Sequence, residues 1–457
     1  MIHDTVLSLI GNTPAVRINH IDTGPCELFV KLESQNPGGS IKDRIAKVMI
    51  EAAERDGKIK PGGTIIEATA GNTGLGLALV AAQKGYKMIV IVPDKMSKEK
   101  IGHLRAMGAE VVLTRSDVQK GHPEYYQDLA ERILAETDNA YYINQFSNPN
   151  NPLAHETWTA KEVWEQFEGK LDACVVGVGT SGTLTGFSRF FAEAAPDMEM
   201  VIADPVGSIL TEYVNTGQIK KAGSWLIEGI GEDFIPEIAD LSRVKTAISV
   251  SDREAFMAAR ELLQKEGIFG GSSTGALFHA AVTWCRRQTE PKRVMTFCCD
   301  NGNKYLSKVY NDFWMVDQGL MERKQKFGDV RDIIGRLMTE RATVTISPGE
   351  PLMSAHKRMI LHEISQLPVM EEGKLVGILD ESDLLLAVHN DPGAFGKSVE
   401  DFMVTDLNWV DTTASIEDLM AMFAKGHVAL VRDDDGKFWG IVTKIDVINY
   451  VRRKYST

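Results

Sequence analysis

Apolar side chains recur through the first two-thirds of the chain with a spacing that switches repeatedly between helix and strand. From Ile41 to Asp56 they fall at helical intervals, which predicts a helix that Gly57 ends. The same patterns predict strands at 64–67, 88–92, 110–113, 173–178 and 200–203, and helices at 73–84, 97–107 and 184–194. Strands that alternate with helices form parallel sheets with right-handed crossovers. This part is therefore predicted to be α/β, in two lobes with a cleft between them.

The pattern changes after residue 317. The segment 318–334 is polar and charged and is predicted to be a linker. An internal repeat follows, in which 377–384 aligns with 440–447 and 337–339 aligns with 402–404. A single repeat unit is too small for a good core. We therefore expect a first domain over 1–317 and one module over 335–457, built from repeats at about 335–392 and 398–457.

Composition narrows the classes of partner. The 457 residues carry a net charge of −13, which argues against nucleic acid or an anionic membrane as the main partner. No signal peptide is evident at the start, and the apolar run from Met88 to Val92 is far too short to cross a bilayer. The five cysteines include no C-x-x-C pair, so we expect buried free thiols, no metal site and a cytoplasmic location.

The first candidate for chemistry is Lys42, which follows the segment Gly38-Gly39-Ser40 at a predicted helix start. A lysine that forms a Schiff base needs a rigid element beneath it, and a helix N-terminus disfavours a cation. The alternative is an ordinary solvated lysine in the first turn of a helix. Lys42 alone does not decide between these two interpretations.

A loop over residues 68–74 lies between a predicted strand and a predicted helix. This is the carboxyl end of a parallel strand, where open α/β sheets bind ligands. Its backbone N–H groups and the hydroxyls of Thr69 and Thr73 suit a substrate carboxylate, and the Asn72 amide suits a ring hydroxyl of a cofactor. The alternative is a tight structural turn that uses the freedom of glycine.

Two more loops of small residues open predicted helices. The loop 179–183 suits a phosphate, because glycines allow close approach and hydroxyls stand at a helix N-terminus. It lacks the lysine of a Walker A loop. In the loop 270–275, Ser272 is placed to meet a pyridine nitrogen, although small residues there also suit a helix cap. Together, a reactive amine and loops that hold a phosphate are what a pyridoxal phosphate enzyme requires.

These residues, within a match from Ile10 to the C-terminus, resemble the cysteine synthase and cystathionine β-synthase family of fold-type II pyridoxal phosphate enzymes. The resemblance implies a two-lobed, tryptophan synthase β-like catalytic core followed by a tandem CBS-repeat (Bateman) module. It implies that Lys42 forms the Schiff base, that Asn72 contacts the ring oxygen and that Ser272 contacts the ring nitrogen. The implied phosphate loop is Gly179, Thr180, Ser181, Gly182 and Thr183, and the implied substrate-binding residues are Thr69, Ala70, Gly71, Thr73, Gln145 and Gly229.

Two departures from the animal members of the family bear on the amino-acid donor. Ala70 stands where those enzymes carry a serine, and Phe146 where they carry a tyrosine. A missing hydroxyl would weaken protonation of a departing hydroxide and favour a better leaving group such as acetate. Serine and O-acetylserine therefore both stay open as donors. The catalytic motifs begin almost at Met1, without the haem-binding extension of the animal enzymes, so no haem is expected.

The resemblance implies a lyase that condenses L-serine, or O-acetylserine, with L-homocysteine to form L-cystathionine in cysteine biosynthesis by transsulfuration. Hydrogen sulfide would be released where cysteine replaces serine. Two alternatives stay open. One is a cysteine synthase, which uses O-acetylserine and sulfide. The other is a pyridoxal phosphate-binding sensor without catalysis, against which the intact Lys42, Asn72, Ser272 and phosphate loop argue.

The C-terminal repeat carries one candidate effector site. Thr443 and Asp446 match the pattern that binds adenosyl ribose in modules of this kind, whereas the first repeat has Asp380 in place of the threonine. S-adenosylmethionine, another nucleotide and a purely structural or oligomerising role all stay open. Because such modules pair readily, we expect a homodimer or a homotetramer.

Overall fold

The computed structural model describes residues 2–455 except Ala70, Lys95, Ser116, Gln119, Lys120 and Lys324, with backbone only at 453–455. The chain divides into two compact units, Met1–Asn311 and Asp312–Thr457. This division falls a few residues before the boundary that the sequence predicts. The limits of the linker therefore stay a prediction.

The first unit contains ten strands and ten helices among its described residues. The strands are β1 Ala15–Arg17, β2 Glu27–Leu32, β3 Thr64–Ala68, β4 Lys87–Pro93, β5 Glu110–Thr114, β6 Ala140–Tyr142, β7 Ala173–Gly177, β8 Glu199–Pro205, β9 Val244–Val250 and β10 Arg293–Cys298. The helices are α1 Lys42–Arg55, α2 Asn72–Lys84, α3 Lys98–Ala106, α4 Tyr126–Glu136, α5 Asn150–Ala154, α6 Ala160–Gln166, α7 Gly182–Ala194, α8 Leu210–Thr216, α9 Asp252–Glu266 and α10 Ser272–Arg286. Every strand and helix predicted above is present, with ends that differ by a few residues.

Two sheets organise the first unit. The larger sheet has the order β1-β2-β10-β7-β8-β9, and the smaller has the order β5-β4-β3-β6. All neighbours are parallel except β1, which runs antiparallel to β2 at an edge. This arrangement confirms the predicted α/β class. Parallel strands are buried on both faces, and β3 is accordingly buried along its whole length.

Helix packing places the loops that follow the parallel strands. Helices α1 and α2 cover the smaller sheet, with Ile45, Met49, Leu75 and Leu77 fully buried in one cluster. Gly76 permits the close approach of these helices, since an added Cβ would lie 3.0 Å from the Lys42 carbonyl oxygen. Helix α2 follows β3 and helix α7 follows β7. Both loops therefore lie at carboxyl ends of strands, where α/β sheets bind ligands.

The second unit contains the two repeats. Its elements are α11 Asp312–Asp317, α12 Leu352–His362, β11 Gln366–Glu371, β12 Lys374–Asp380, α13 Glu381–Asn390, β13 Trp409–Asp411, α14 Ile416–Ala424, β14 Ala429–Arg432, β15 Phe438–Val442 and α15 Lys444–Tyr455. Each repeat has its own buried cluster. Val330, Ile334 and Leu337 pack into the cluster of the second repeat, so part of the segment predicted as linker contributes to a core.

Three features of the chain as a whole complete the description. All five cysteines are free thiols, and each is buried except Cys299, which is partly exposed. No helix in the described ranges is long and apolar enough to span a bilayer. Among the same residues, no group of three or more potential ligands has the arrangement of a metal site.

Candidate active site

Lys42 is the first residue of α1 and follows the glycine turn, defined here as Gly38–Gly39. Gly39 has φ +76°, and an added Cβ at Gly38 would lie 2.5 Å from the Asp43 carboxylate, so this turn needs glycine. Burial lowers the pKa of the Lys42 amine, while the charges of Glu232 and Asp300 oppose that shift. A lowered pKa increases the neutral fraction, which is the form that attacks an aldehyde or removes a proton.

Asn72 begins α2 and is held from both sides of its amide. Its Nδ2 donates to Asp300 Oδ2 at 2.7 Å, and its Oδ1 accepts from Lys304 Nζ at 2.9 Å. The same Lys304 ammonium donates to both carbonyls of the glycine turn at 3.1 Å. Lys304 therefore ties Asn72 to the turn that positions Lys42, over more than two hundred residues of sequence.

The predicted phosphate loop leads into α7. Ser181 adopts the left-handed region at φ +69°, which turns the chain into the helix. Thr180 Oγ1 accepts from Asn151 Nδ2 at 2.9 Å, and Thr183 Oγ1 lies 3.3 Å from His155 Nε2. Burial lowers the pKa of His155 well below its usual range, so this imidazole is neutral at physiological pH. The loop thus offers hydroxyls and the N-terminus of a thirteen-residue helix to an anion.

The phosphate loop has no room for larger residues. An added Cβ at Gly182 would collide with the Asn151 side chain, and one at Gly179 would lie 2.7 Å from the carbonyl oxygen of Gly229. The Asn151 Oδ1 atom is buried and accepts no hydrogen bond from the described residues. Gly229, one of the implied substrate-binding residues, therefore lies directly beside the phosphate loop.

The residues predicted to bind the substrate carboxylate meet at one place. Thr73 Oγ1 donates to Gln145 Oε1 at 2.6 Å, and Thr69 Oγ1 accepts from the Gly71 N–H at 3.3 Å. Asn151 Nδ2 donates to the Gln145 carbonyl at 2.9 Å as well as to the phosphate loop. Asn151 therefore joins the two predicted subsites. Ala70, also predicted here, lies outside the described residues.

Ser272 is the first residue of α10 and is almost fully buried. Its Oγ accepts from the backbone N–H of Glu228 at 3.0 Å. This bond fixes the segment that continues into Gly229. The predicted contact between Ser272 and a ring nitrogen stays a prediction.

A charged network beside Asn72 was not found from the sequence. Glu228 accepts from Lys100 Nζ at 2.5 Å and from Lys308 Nζ at 2.7 Å, and these cations hold its pKa below the usual range although burial opposes them. Lys100 Nζ also donates to Tyr305 Oη at 3.0 Å, and that phenol donates to Asp300 Oδ2 at 2.6 Å. Asp300 lies just after β10, at the carboxyl end of a strand. This position is the one feature of the sequence that could have indicated a role for Asp300 in the site.

A second omission from the sequence analysis is Glu67 on β3, which is completely buried. Neither of its carboxyl oxygens forms a hydrogen bond with a described group, although the N–H groups of Asn144 and Gln145 lie nearby. Burial raises the pKa of Glu67 to about 8. In the sequence, only the interruption of an apolar run marks this glutamate.

The predicted effector residues lie together in the second unit. Asp446 Oδ2 accepts from Thr443 N at 2.8 Å and from Thr443 Oγ1 at 2.5 Å. Both residues line a cavity of 1110 Å³ to which both repeats contribute. Burial raises the pKa of Asp446, while Arg323 and Arg336 oppose that shift. The same contacts also cap the start of α15.

The residues present fit pyridoxal phosphate. Lys42 supplies a partly buried amine of lowered pKa that forms no hydrogen bond with the described residues. The 179–183 loop supplies an anion site, and the Asn72 amide is held next to the turn that carries Lys42. An amine, an anion site and a polar amide are what this cofactor needs.

Comparisons with known proteins agree with this chemistry. A family profile described as pyridoxal-phosphate dependent enzyme matches residues 6–300, and a CBS domain profile matches residues 330–390 and 399–453. The chain is 36% identical to cystathionine β-synthase of Dictyostelium discoideum, over 99% of this chain and 93% of that protein. It is 36% identical to cystathionine β-synthase of Mus musculus, over 99% of this chain and 86% of that protein.

Solved structures give the same result for the first part of the chain. An O-acetylserine dependent cystathionine β-synthase from Helicobacter pylori matches with a TM-score of 0.63 and 36% identity, over 68% of this chain and 100% of that chain. A hydrogen sulfide-producing enzyme from Fusobacterium nucleatum matches with a TM-score of 0.63 and 39% identity, over 67% of this chain and 100% of that chain. The chain therefore belongs to the family of pyridoxal-phosphate-dependent enzymes that includes the cystathionine β-synthases, and it carries two CBS domains after the catalytic part.

Proposed function

We propose that this enzyme joins the β-carbon of L-serine or O-acetylserine to the sulfur of L-homocysteine, which gives L-cystathionine. The observation that carries the proposal is the partly buried Lys42 amine of lowered pKa, on the turn that Lys304 ties to the Asn72 amide. Relatives named cystathionine β-synthase that align over nearly the full length support the choice of reaction. Pyridoxal phosphate, when bound, supplies the electron sink that makes the α-proton of an amino acid acidic.

Each side chain has a definite task in this proposal. Lys42 attaches the cofactor and, once an amino acid has displaced it, removes the α-proton as general base and later returns it. Asn72 orients the ring oxygen, and Ser272 contacts the ring nitrogen without charging it. The loop of Gly179, Thr180, Ser181, Gly182 and Thr183 holds the phosphate. Thr69, Ala70, Gly71, Thr73 and Gln145 bind the carboxylate of the amino acid, and Gly229 leaves space for the second substrate.

Of the two donors, we favour O-acetylserine. Phe146 packs against Phe234 with ring centroids 5.5 Å apart, so an apolar side chain occupies the position predicted to lie near the reacting carbons. An apolar surface there does not protonate a departing hydroxide, whereas acetate leaves without such help. The similarity to an enzyme described as O-acetylserine dependent supports the same choice.

A matrix of substrates tests the reaction. Serine and O-acetylserine are each supplied with homocysteine or with sulfide, and the amino-acid product is identified. Cystathionine as the main product supports the proposal. Cysteine formed faster from O-acetylserine and sulfide would instead make the chain a cysteine synthase. No product from any pair would leave a pyridoxal phosphate-binding sensor.

The role of Lys42 is tested by substitution. Lys42→Ala is expected to lose both turnover and the visible absorption that borohydride bleaches, because no other amine holds the cofactor covalently. Lys60→Ala is the matched control, since Lys60 is exposed outside the candidate site. Normal turnover by the Lys42→Ala protein would refute the assignment.

The second unit is proposed to bind an adenosyl ligand at Thr443 and Asp446. The cavity of 1110 Å³ beside these residues has room for a nucleoside, and acidic oxygens suit ribose hydroxyls. Calorimetry with S-adenosylmethionine, ATP and AMP, each against wild type and Asp446→Ala, identifies the ligand. We also propose a cytoplasmic homodimer or homotetramer, which light scattering of the purified protein tests.

A further inference from the structure

Glu67 lies on β3, two residues before Thr69, and Thr69 directly follows that strand in the loop proposed to bind the substrate carboxylate. The Glu67 side chain has no exposed surface, and both its oxygens are without a hydrogen bond to the described residues. Buried polar groups almost always have partners, so an unpartnered carboxyl group calls for an explanation.

The surroundings of Glu67 connect it to the carboxylate subsite. The N–H groups of Asn144 and Gln145 and the Gln145 side chain lie beside its carboxyl group. Gln145 in turn accepts the Thr73 hydroxyl at 2.6 Å. Asn144 adopts the left-handed region at φ +48°, which turns the chain sharply between β6 and Gln145. Glu67 therefore packs against the turn that presents Gln145.

No cation among the residues that the structure describes compensates a charge at Glu67. Tyr142 on β6 pairs with the neighbouring Ile66, and burial together with the Glu67 charge raises the pKa of that phenol. Behind Tyr142 lie Tyr126 of α4, whose pKa is also raised mainly by burial, and Glu131 of the same helix. On β4, the residue paired with Glu67 is the apolar Val90. The phenols are neutral at physiological pH, and Glu131 adds only negative charge.

The carboxylate of a bound substrate would disfavour the ionised form of Glu67. Two carboxylates that share a site of low dielectric cannot both ionise cheaply. A neutral Glu67 leaves the N–H groups and the Gln145 amide free to attract the carboxylate of the substrate. An ionised Glu67 would compete for the same donors and repel that carboxylate.

We propose that Glu67 is a positioning residue that must be protonated for the amino-acid substrate to bind, so that binding takes up a proton when Glu67 is ionised. This inference rests on the proposed function, because it uses the carboxylate subsite assigned there. The proton moves from solvent to one Glu67 oxygen, and no other bond changes. The pKa of about 8, which burial causes, puts this exchange in an accessible range of pH.

The first test needs no substrate. Infrared spectra of the holoenzyme are recorded at pH 6.5 and pH 9.5 for wild type, for Glu67→Gln and for the control Glu110→Gln, which alters an exposed glutamate of β5. The wild type and the control are expected to lose the same protonated-carboxyl band between the two pH values. Glu67→Gln is expected to lack that component. Identical difference spectra for all three proteins would overturn the inference while leaving the proposed function intact.

The second test measures linkage. Donor binding is followed by calorimetry at pH 8 in two buffers of different ionisation enthalpy, which counts protons taken up. Glu67→Gln is expected to take up fewer protons than wild type, and to bind the donor about tenfold more tightly than wild type at pH 9, one unit above the pKa. Equal proton uptake would overturn the inference. Absence of donor binding by both proteins would refute the proposed function, and the coupling with it.

Discussion

Replacing Glu162 by glutamine should strongly destabilise the first unit. Glu162 accepts from Lys31 Nζ at 2.7 Å and from two Arg44 nitrogens at 2.8 and 2.9 Å. It also accepts the backbone N–H groups of Asn12 and Thr13 at 2.9 and 3.0 Å. Both cations are completely buried. Removing one carboxylate leaves a buried positive charge without its partner, which typically costs about 3–5 kcal/mol.

The titration of Glu162 gives an independent estimate. Burial alone would raise its pKa, but Arg44 and Lys31 lower it from 4.5 to about 2. A shift of that size corresponds to about 3 kcal/mol of stability at neutral pH. Because the folded pKa lies below the unfolded one, this contribution is complete above pH 4.5 and is lost as the pH falls toward 2. At pH 4 it is smaller by about 1 kcal/mol.

Hydrogen exchange as a function of urea measures this loss without assuming a single transition for a chain of two units. Peptides from α1 and α6 are expected to open about 3 kcal/mol more easily in Glu162→Gln at pH 7, and by less at pH 4. Glu261→Gln is the matched control, because its ion pair with Lys265 at 2.6 Å is exposed. That change should cost at most about 0.5 kcal/mol. A Glu162→Gln loss no larger than that of the control would refute the reasoning.

Three further predictions concern the site and the module. Gly179→Ala should weaken binding of pyridoxal phosphate about tenfold, because the added Cβ would lie 2.7 Å from the Gly229 carbonyl oxygen. Gly102→Ala is the control and should leave binding unchanged, because the space around Gly102 is open. Fluorescence titration of the apoenzyme with the cofactor measures both. Glu228→Gln removes the partner of two lysines and should lower the stability of the first unit by about 3 kcal/mol, measured by hydrogen exchange. Thr443→Ala should cost about 1 kcal/mol at the start of α15 and weaken nucleotide binding, measured by calorimetry.

The alternation of strands and helices was predictable because each element carries its own local signal. The parallel strands β4 and β7 are nearly continuous apolar runs, and the helices between the strands carry an apolar face. The helix predicted from residue 97 is capped by Ser97, whose Oγ accepts the Lys100 N–H at 3.4 Å. Such signals lie within a few residues, so a single sequence contains them.

The partners of the candidate site were not predictable, because each contact joins distant positions. Asn72 and Asp300 are 228 positions apart, and Lys304 and Gly38 are 266 apart. Asp300, Lys304 and Asn151 carry no repeated spacing that marks them. Glycine-rich loops can be recognised in a sequence because their backbone conformations require glycine. The side chains that hold these loops in place can be identified only from the folded structure.

Asn151 shows why those bracing residues matter for chemistry. Its single amide nitrogen donates to the Gln145 carbonyl and to Thr180, so it connects the proposed carboxylate subsite with the proposed phosphate loop. Gly182 must be a glycine because this amide lies against it. One buried side chain therefore fixes the separation between the Gln145 carbonyl and the Thr180 hydroxyl. If these two groups mark the carboxylate and phosphate subsites as proposed, neither subsite can shift without the other, and we expect the site to discriminate among amino acids by fixed geometry.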